Sequence, residues 1–333
     1  MRRALTGPVA VAVLLAACGG GGQPARSPSP SPSLESPSPS PSPTPTPLPL
    51  QQAEPNLPAA VEETGAAVAG GKLYVMGGFN AAGASLSSVY VFDGSSWSAG
   101  PRLPLPLDHP SATTLNDHVY IAGGHSNGAD SARLYRLDGD HWTQLASMHY
   151  ARGGHALIAA LGRLYAIGGN TARGNVGPVE SYDPAANSWS ETTTIPVARN
   201  HVAGFDGGGV ACVAGGRAPT TGRVDCLEVS VPEWKRQLAD LPVPTSGGGA
   251  VAFAGGDVIV LGGQDASETR IVDQFVYLIG ESWLSAGKML VPRHGFELAL
   301  FNDRAWACGG GIAPGLHPVA TCTSLGDPAA AGS

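Results

Sequence analysis

The chain has 333 residues and a formal net charge of −7, with 19 Lys and Arg against 26 Asp and Glu. Nucleic-acid binding needs a basic stripe along the phosphates, and no Lys/Arg cluster stands out, so we expect no nucleic-acid partner. Gly (47) and Pro (29) are abundant while charged residues make up only 14%, which favours one repetitive all-β domain.

The first residues have the features of an export signal. Arg2 and Arg3 precede an apolar run, Val9 to Ala17, that is too short to cross a bilayer but suits the core of a signal peptide. The run ends in Leu15-Ala16-Ala17-Cys18, which resembles the lipobox of bacterial lipoproteins. That resemblance implies removal of residues 1–17 and lipidation of Cys18. An ordinary secretory signal with an incidental cysteine is the alternative. We therefore expect an exported protein, anchored in the lipid bilayer at the outer face of the bacterial cell membrane, at the cell surface or in the periplasm.

Residues 18–55 form a Pro/Ser/Thr-rich segment, with Ser-Pro alternating from Ser27 to Pro32 and from Ser36 to Pro43. Proline fixes φ and lacks an N–H, so this segment predicts a disordered linker of polyproline II character. The linker would move the following domain away from the membrane. Its composition fits both an inert spacer and an O-glycosylated stalk.

Internal repeats dominate the rest of the chain. A Gly-Gly pair closes an apolar, β-rich segment six times, at spacings of 45 to 47 residues: Gly77-Gly78, Gly123-Gly124, Gly168-Gly169, Gly215-Gly216, Gly262-Gly263 and Gly309-Gly310. Each pair precedes a polar loop and another β-rich segment. Four of these segments carry a tyrosine (Tyr90, Tyr135, Tyr182, Tyr277), and a tryptophan follows in five repeats (Trp97, Trp142, Trp189, Trp234, Trp283).

The double glycine, tyrosine and tryptophan at this period resemble the kelch motif over residues 56–328. WD-type blades share the period, and the segment from Asp93 to Trp97 is similar to the Asp-box of sialidases, but the Gly-Gly pairs fit kelch better. The resemblance implies an all-β fold, a six-bladed kelch-type β-propeller of four-stranded antiparallel blades, followed by a tail at 329–333. In it the glycines would permit positive φ near the crowded centre and the aromatic residues would fill gaps between blades, so neither set is expected to be catalytic.

The sixth repeat ends near Leu325 without a tryptophan, so its outer strand is missing. Residues 50–57 lie just before the inner strand of the first repeat, 65–69, where an outer strand belongs. We predict that residues 50–57 add the outer strand of blade six and close the ring, which would leave only short protected edges.

Four cysteines remain after Cys18, as two pairs that are each 14 residues apart, Cys212 with Cys226 and Cys308 with Cys322. The second cysteine of each pair takes the place of the tyrosine. In an exported protein this pattern predicts two disulfides within blades. Free thiols and metal ligands are the alternatives, and no nearby histidine completes a tetrahedral set around the cysteines.

By fold analogy, a propeller binds ligands at the mouth where the post-glycine loops and the connections between blades meet. Polar residues of these segments could bind a ligand or hydrogen-bond within the channel, and both roles stay open. The candidates are Asn80, Asp108, His109, His125, Asn127, Arg152, His155, Asn170, Arg173, Arg199, His201, Arg217, Gln264, Asp265, Arg293 and His294. We expect no metal and no cofactor.

Two functions fit this sequence. We expect a monomeric binding or interaction module that takes a polar, glycan or protein ligand at the propeller mouth. The alternative is a sugar-processing enzyme such as a sialic-acid-epimerase-like kelch protein, for which Asp108 and Asp265 are candidate acids but no catalytic residue is identified. Galactose-oxidase-like copper chemistry is disfavoured, since the chain has no Tyr-His pair and its cysteines already have partners.

Overall fold

The structure is a computed structural model that describes residues 50–235 and 238–327. The chain divides into two units, Met1–Thr46 and Pro47–Ser333, and the described residues belong to the second. The signal peptide, Cys18, most of the linker and the tail lie outside the described residues, so the expectations about them stay predictions. Within the described ranges, no helix is long and apolar enough to span a bilayer.

The described residues fold into six antiparallel sheets arranged as the blades of a β-propeller, as the repeats predict. The strands are β1 (Gln51–Glu54), β2 (Gly65–Ala69), β3 (Lys72–Met76), β4 (Val89–Phe92), β5 (Trp97–Ala99), β6 (Asp108–Leu115), β7 (His118–Ser126), β8 (Ala129–Asp130), β9 (Leu134–Asp138), β10 (His141–Leu145), β11 (Gly153–Ala160), β12 (Arg163–Thr171), β13 (Gly174–Asn175), β14 (Pro178–Asp183), β15 (Ser188–Thr194), β16 (Ala203–Asp206), β17 (Val210–Ala214), β18 (Val224–Glu228), β19 (Glu233–Lys235), β20 (Gly249–Ala252), β21 (Val258–Leu261), β22 (Gln274–Ile279), β23 (Ser282–Lys288), β24 (Leu298–Phe301), β25 (Arg304–Cys308) and β26 (Cys322–Gly326).

Each blade has four main strands, and its first strand lines the central channel. From blade one to blade five, the strand orders are β2-β3-β4-β5, β6-β7-β9-β10, β11-β12-β14-β15, β16-β17-β18-β19 and β20-β21-β22-β23. The short strands β8 and β13 extend β7 and β12. The six apolar clusters of the core lie between neighbouring blades, so each blade buries both faces.

Blade six closes the ring as predicted, because its order is β24-β25-β26-β1. Strand β1 pairs antiparallel with β26 over four residues, from Gln51 opposite Leu325 to Glu54 opposite Cys322. The outer strand is therefore shorter than the predicted 50–57. Beyond it, the Leu57 N–H donates to the Ala320 carbonyl at 2.8 Å, which extends the seam toward the channel.

The glycine pairs join each blade to the next. The N–H of each second glycine donates to a carbonyl of the following blade at 2.8 to 3.0 Å, for example from Gly169 to Arg199 and from Gly310 to Val61. Both glycines of a pair have positive φ, such as 70° and 91° at Gly168 and Gly169. A Cβ at Gly168 would lie 2.7 Å from the same Arg199 oxygen, so only glycine lets this carbonyl approach.

The tryptophans of the outer strands tie the blades together at the rim. Trp97, Trp142, Trp189 and Trp283 each donate their indole N–H at 2.8 Å to a backbone carbonyl just before their own blade, such as Pro101 for Trp142. Among the described residues, the indole N–H of Trp234 finds no acceptor.

Both predicted disulfides are present, Cys212–Cys226 and Cys308–Cys322, each joining the second and third strands of one blade. Although the second cysteine of each pair takes the place of the tyrosine in the repeat, the tyrosines and cysteines do not all point to the same sheet face. Tyr135 packs toward the preceding blade, whereas Cys226 packs toward the following one. The register differs between blades, and a shift of one residue moves a side chain to the other face.

Candidate functional site

One mouth of the channel is built from six equivalent pairs of residues. In every blade the residue after Gly-Gly pairs antiparallel with a residue of the connection that leads into the inner strand. The pairs are Glu62–Phe79, Asp108–His125, Gly153–Asn170, Asn200–Arg217, Ser246–Gln264 and His294–Gly311. Every blade therefore presents two side-chain positions to the same ring, and the polar residues among them define the candidate site.

A second ring lies next to the first along the chain, and its residues all have positive φ. Its members, one per blade, are Glu63, His109, Gly154, His201, Gly247 and Gly295, with φ between 51° and 69°. Backbone hydrogen bonds link neighbours in the ring, including His109 N–H to Glu63 O at 3.0 Å and Gly247 N–H to His201 O at 2.8 Å. The ring thus holds three non-glycine side chains on a backbone conformation that favours glycine.

These side chains converge on the Glu63 carboxylate. His109 Nε2 lies 3.5 Å from Glu63 Oε2, and His201 Nε2 lies 4.0 Å from Oε1. His294, from the first ring, places its Nδ1 3.8 Å from Oε1. Ring contacts at 5.0 Å between His109 and His201, and at 5.6 Å between His109 and His125, complete the cluster. Residues from blades one, two, four and six therefore form one polar floor.

Neighbouring side chains orient the histidines of this floor through hydrogen bonds to their ring nitrogens. His109 Nδ1 bonds to the Asp108 carboxylate at 2.7 Å, and Asp108 accepts a hydrogen bond from Ser85 at 2.5 Å. His201 Nδ1 bonds to the Asn200 amide oxygen at 2.5 Å, while its Nε2 is 2.9 Å from Arg217 Nη2. These partners hold both imidazoles in defined orientations.

Burial and neighbouring charges shift the pKa values of several side chains in and next to this floor. Burial, together with the positive charge of Arg217, holds the pKa of His201 well below its usual value. Burial also acts to lower the pKa of His109, but the Glu63 and Asp108 carboxylates overcome it and raise that pKa. Burial raises the pKa of Glu62 to about 7, against the hydrogen bond from the His317 N–H. Such perturbed groups clustered in a concave site are typical of functional sites.

The mouth opens into a cavity of about 370 Å³ above the floor. Its polar wall includes Arg217, Gln264 and Glu268, and Arg217 Nη1 contacts Glu268 at 3.1 Å. Its apolar side is formed by Phe79 and Leu316. Leu316 is 36% exposed, and the nearby Ile312 is 51% exposed. An apolar rim above a few convergent polar groups is the usual composition of a ligand pocket.

The opposite end of the channel holds a second cavity, of about 660 Å³, lined mostly by Ala, Val and Leu of the inner strands. Glu297 lies there and accepts hydrogen bonds from the N–H groups of Ala66 and Ala112 and from the Ser111 hydroxyl. Burial raises the pKa of Glu297 to about 7, against these three hydrogen bonds. Because it joins the inner strands of blades six, one and two, its role is to brace the ring.

Comparison with known proteins agrees with this architecture. A family model, described as the KLHDC2/KLHL20/DRC7 Kelch-repeats domain, matches residues 48–216, which is half of the chain. This chain belongs to the kelch-repeat family.

Among curated kelch proteins, the Kelch-like protein terF of Aspergillus terreus is 26% identical over 248 residues, which are 66% of this chain and 54% of that protein. Kelch-like protein 36 of Bos taurus is 26% identical over 233 residues, 64% of this chain and 37% of its own length. The kelch chain thus spans about half or less of the relatives it matches. The solved structure titled "Structure of YjhT" has the same fold, with a TM-score of 0.70 at 17% identity, covering 82% of this chain and 97% of that one. The kelch fold suggests a protein-interaction module.

The kelch framework separates the predicted site residues into three groups. His109, His125, His201, Arg217, Gln264 and His294 come together at the mouth, with Asp108 as the buried partner of His109. Whether they bind a ligand stays a prediction.

Three of the five candidate arginines, Arg152, Arg199 and Arg293, are fully buried. Arg152 donates to the Gly168 carbonyl at 3.0 Å and to Glu180 at 2.9 Å, while Arg199 pairs with Asp225 at 2.8 Å. Arg293 donates to three carbonyls, including that of Thr321 at 2.7 Å. These groups stabilise strand ends inside the blades and have no surface to offer a ligand.

The remaining candidates lie around the site. The side chains of Asn80 and Asp265 accept N–H groups of their own loops, so they stabilise turns. Asn127 and Arg173 are exposed on their loops. His155 is buried, and neither of its ring nitrogens has a polar partner among the described residues.

Asn170, the last candidate, pairs with Gly153 in the first ring, and its side-chain oxygen also lacks a partner within the described ranges.

Sequence reasoning missed Glu62 and Glu63. Glu63 precedes its glycine pair by 14 residues, as His109 and His201 precede theirs, and this common spacing is the signal that could have found it.

Proposed function

We propose that this kelch propeller is a binding module held outside the cytoplasm, which recognises a protein or glycan partner at the mouth that contains Arg217 and Leu316. The single observation that carries the proposal is the composition of this mouth, an exposed apolar rim above a polar floor. Protein-binding surfaces combine apolar anchors with fixed polar groups in this way. Arg217, 27% exposed beside the rim and paired with Glu268 at 3.1 Å, adds a charged pair to the recognition surface.

The two disulfides support the placement of this module outside the cytoplasm. Structural disulfides persist in oxidising compartments and are rare in a reducing cytosol. With the lipobox-like segment that ends at Cys18, they favour a protein held on the outer face of the membrane by a lipid and a Pro/Ser-rich linker. Replacing Cys18 by Ser should move the protein from the membrane fraction to the soluble fraction. Retention of the Cys18→Ser protein on membranes would contradict the anchor.

Partner binding at the mouth is tested with two exposed leucines. Leu316→Glu places a charge on the apolar rim, and Leu161→Glu is the control, since Leu161 is 66% exposed in the turn between strands β11 and β12. Partners captured from envelope extracts and identified by mass spectrometry are then purified and titrated against each protein, alongside glycans. We expect Leu316→Glu to weaken saturable binding at least tenfold while Leu161→Glu leaves it unchanged. Equal affinity of the two variants would contradict recognition at the mouth.

A sugar-processing enzyme is the second candidate, and Glu62 is the observation in its favour. A carboxyl group whose pKa is about 7 can act as an acid or a base near neutral pH. Turnover of a sialic acid or a related sugar, lost in Glu62→Gln, would replace the binding module with this alternative.

A further inference from the structure

We propose that Glu63, His109, His201 and His294 bind one divalent transition-metal ion, for which Zn²⁺ is the best fit. The site goes beyond the binding module, because it depends only on the channel floor and not on any partner.

The first argument is the spacing of the donor atoms. One ligand atom from each of Glu63, His109 and His201 lies within 4.8 Å of the others, and the nearest contacts to the carboxylate are 3.5 to 4.0 Å. Zn²⁺ binds imidazole nitrogen and carboxylate oxygen at about 2.0–2.1 Å. Tetrahedral ligands at that distance lie roughly 3.3 Å apart. Glu63, His109 and His201 therefore need only a small contraction to surround an ion, and His294, whose Nδ1 lies 3.8 Å from Glu63 Oε1, would turn toward the ion as the fourth ligand.

The second argument is the set of partners on the other ring nitrogens. His109 Nδ1 faces the Asp108 carboxylate at 2.7 Å, His201 Nδ1 faces the Asn200 amide oxygen at 2.5 Å, and His294 Nε2 faces the Ala313 carbonyl at 3.1 Å. These oxygens only accept hydrogen bonds, so the outward nitrogens carry the protons. In the neutral imidazoles the inward nitrogens then have the lone pairs, and these nitrogens face Glu63. Metal-binding histidines have this second hydrogen bond almost always.

The third argument is the backbone on which three of these residues sit. Glu63, His109 and His201 have φ of 55°, 51° and 52°, where the equivalent positions of blades three, five and six have glycine. A side chain with a Cβ in this region is destabilised relative to the right-handed conformation, because the Cβ crowds the following carbonyl oxygen. Residues held in such conformations cluster at functional sites. In blades one, two and four the glycine is replaced only by residue types that can bind a metal.

One charged neighbour must move for the ion to bind. Arg217 Nη2 lies 2.9 Å from His201 Nε2 and so occupies one of the lone pairs. The same guanidinium already contacts Gln264 at 3.3 Å and Glu268 at 3.1 Å at the rim. These contacts can retain Arg217 when the ion takes its place beside His201. Arg217→Ala is therefore expected to raise the metal affinity.

The test uses the untagged full chain, stripped of metal by a chelator and titrated with Zn²⁺ by calorimetry and with Co²⁺ by visible absorption. We expect one ion per chain and the absorption bands of tetrahedral Co²⁺. Glu63→Gln and His201→Gly should each lower the affinity at least tenfold, and His141→Gln, which changes an exposed histidine on the outer strand of blade two, should not change it. His201→Gly should fold, because glycine occupies the same position in three blades.

The circular dichroism and melting temperature of the metal-free variants separate lost binding from lost folding. A metal-induced rise in melting temperature is expected for the wild type and His141→Gln and not for His201→Gly. The proposal is overturned by less than one ion per wild-type chain, by a Co²⁺ spectrum without tetrahedral bands, or by unchanged affinity in folded Glu63→Gln and His201→Gly. Lower affinity of Arg217→Ala would also overturn it, since removing a guanidinium that competes for His201 Nε2 should free a ligand of the ion.

Discussion

The contact between Gly-Gly and the next blade predicts that Gly168→Ala strongly destabilises the propeller. Gly168 has φ +70°, and a Cβ there would lie 2.7 Å from the carbonyl oxygen of Arg199. This oxygen accepts the N–H of Gly169 at 3.0 Å and joins blade three to blade four. Gly162 is a matched control in the same blade, because its φ is +77° but no atom lies within 4 Å of a Cβ built there.

The two substitutions share the conformational penalty and differ in the clash. A Cβ in the left-handed region costs about 1–2 kcal/mol, which is the whole expected effect of Gly162→Ala. At Gly168 the displaced carbonyl adds about 1–3 kcal/mol for overpacking. The weakened hydrogen bond between blades adds about 1 kcal/mol. We therefore expect Gly168→Ala to lower the free energy of unfolding by about 3–6 kcal/mol, the sum of these terms.

Urea denaturation followed by tryptophan fluorescence measures both variants against the wild type. Because tryptophans lie on the outer strands of five blades, the signal reports on most of the ring. If Gly168→Ala is no more destabilising than Gly162→Ala, the glycine pairs serve only the backbone conformation and the argument from close approach is wrong.

Three further predictions follow from the contacts within and between the blades. Trp142→Phe removes an indole N–H bond to a carbonyl and should cost about 1 kcal/mol more in urea denaturation than Trp234→Phe, whose indole has no acceptor among the described residues; equal costs would contradict a role for these bonds. Reducing Cys212–Cys226, or replacing both residues by Ala, should cost about 3 kcal/mol through the closed loop between them, and four free thiols in non-reducing mass spectrometry would contradict both disulfides. The raised pKa of Glu297 favours the protonated form in the folded state, so stability should fall as pH rises from about 4.5 to about 7. The loss should be about 1–3 kcal/mol, since the group is partly open to the channel. Glu297→Gln should remove that part of the pH dependence, and an unchanged pH profile of its unfolding free energy would refute this assignment.

The blade count, the seam and the disulfides could be predicted from sequence because they rest on local or repeated patterns. Each glycine pair lies at or near the end of a second strand, although β7 and β12 continue two residues beyond theirs. Each cysteine pair lies on adjacent strands of one blade. The seam at Gln51–Glu54 could be predicted from the number of strands in each repeat. The sixth repeat lacks an outer strand, and the segment before the first repeat belongs to no other blade.

Only the tertiary structure decided which faces and which side chains meet. Tyr135 and Cys226 take the same place in the repeat, but a shift of one residue in register turns them to opposite faces of their sheets. Glu63 and His294 are 231 residues apart in sequence and adjacent in space because ring closure brings blades one and six together. The sequence by itself thus determined the ring, whereas the channel floor exists only where six blades, each folded locally, meet around one axis.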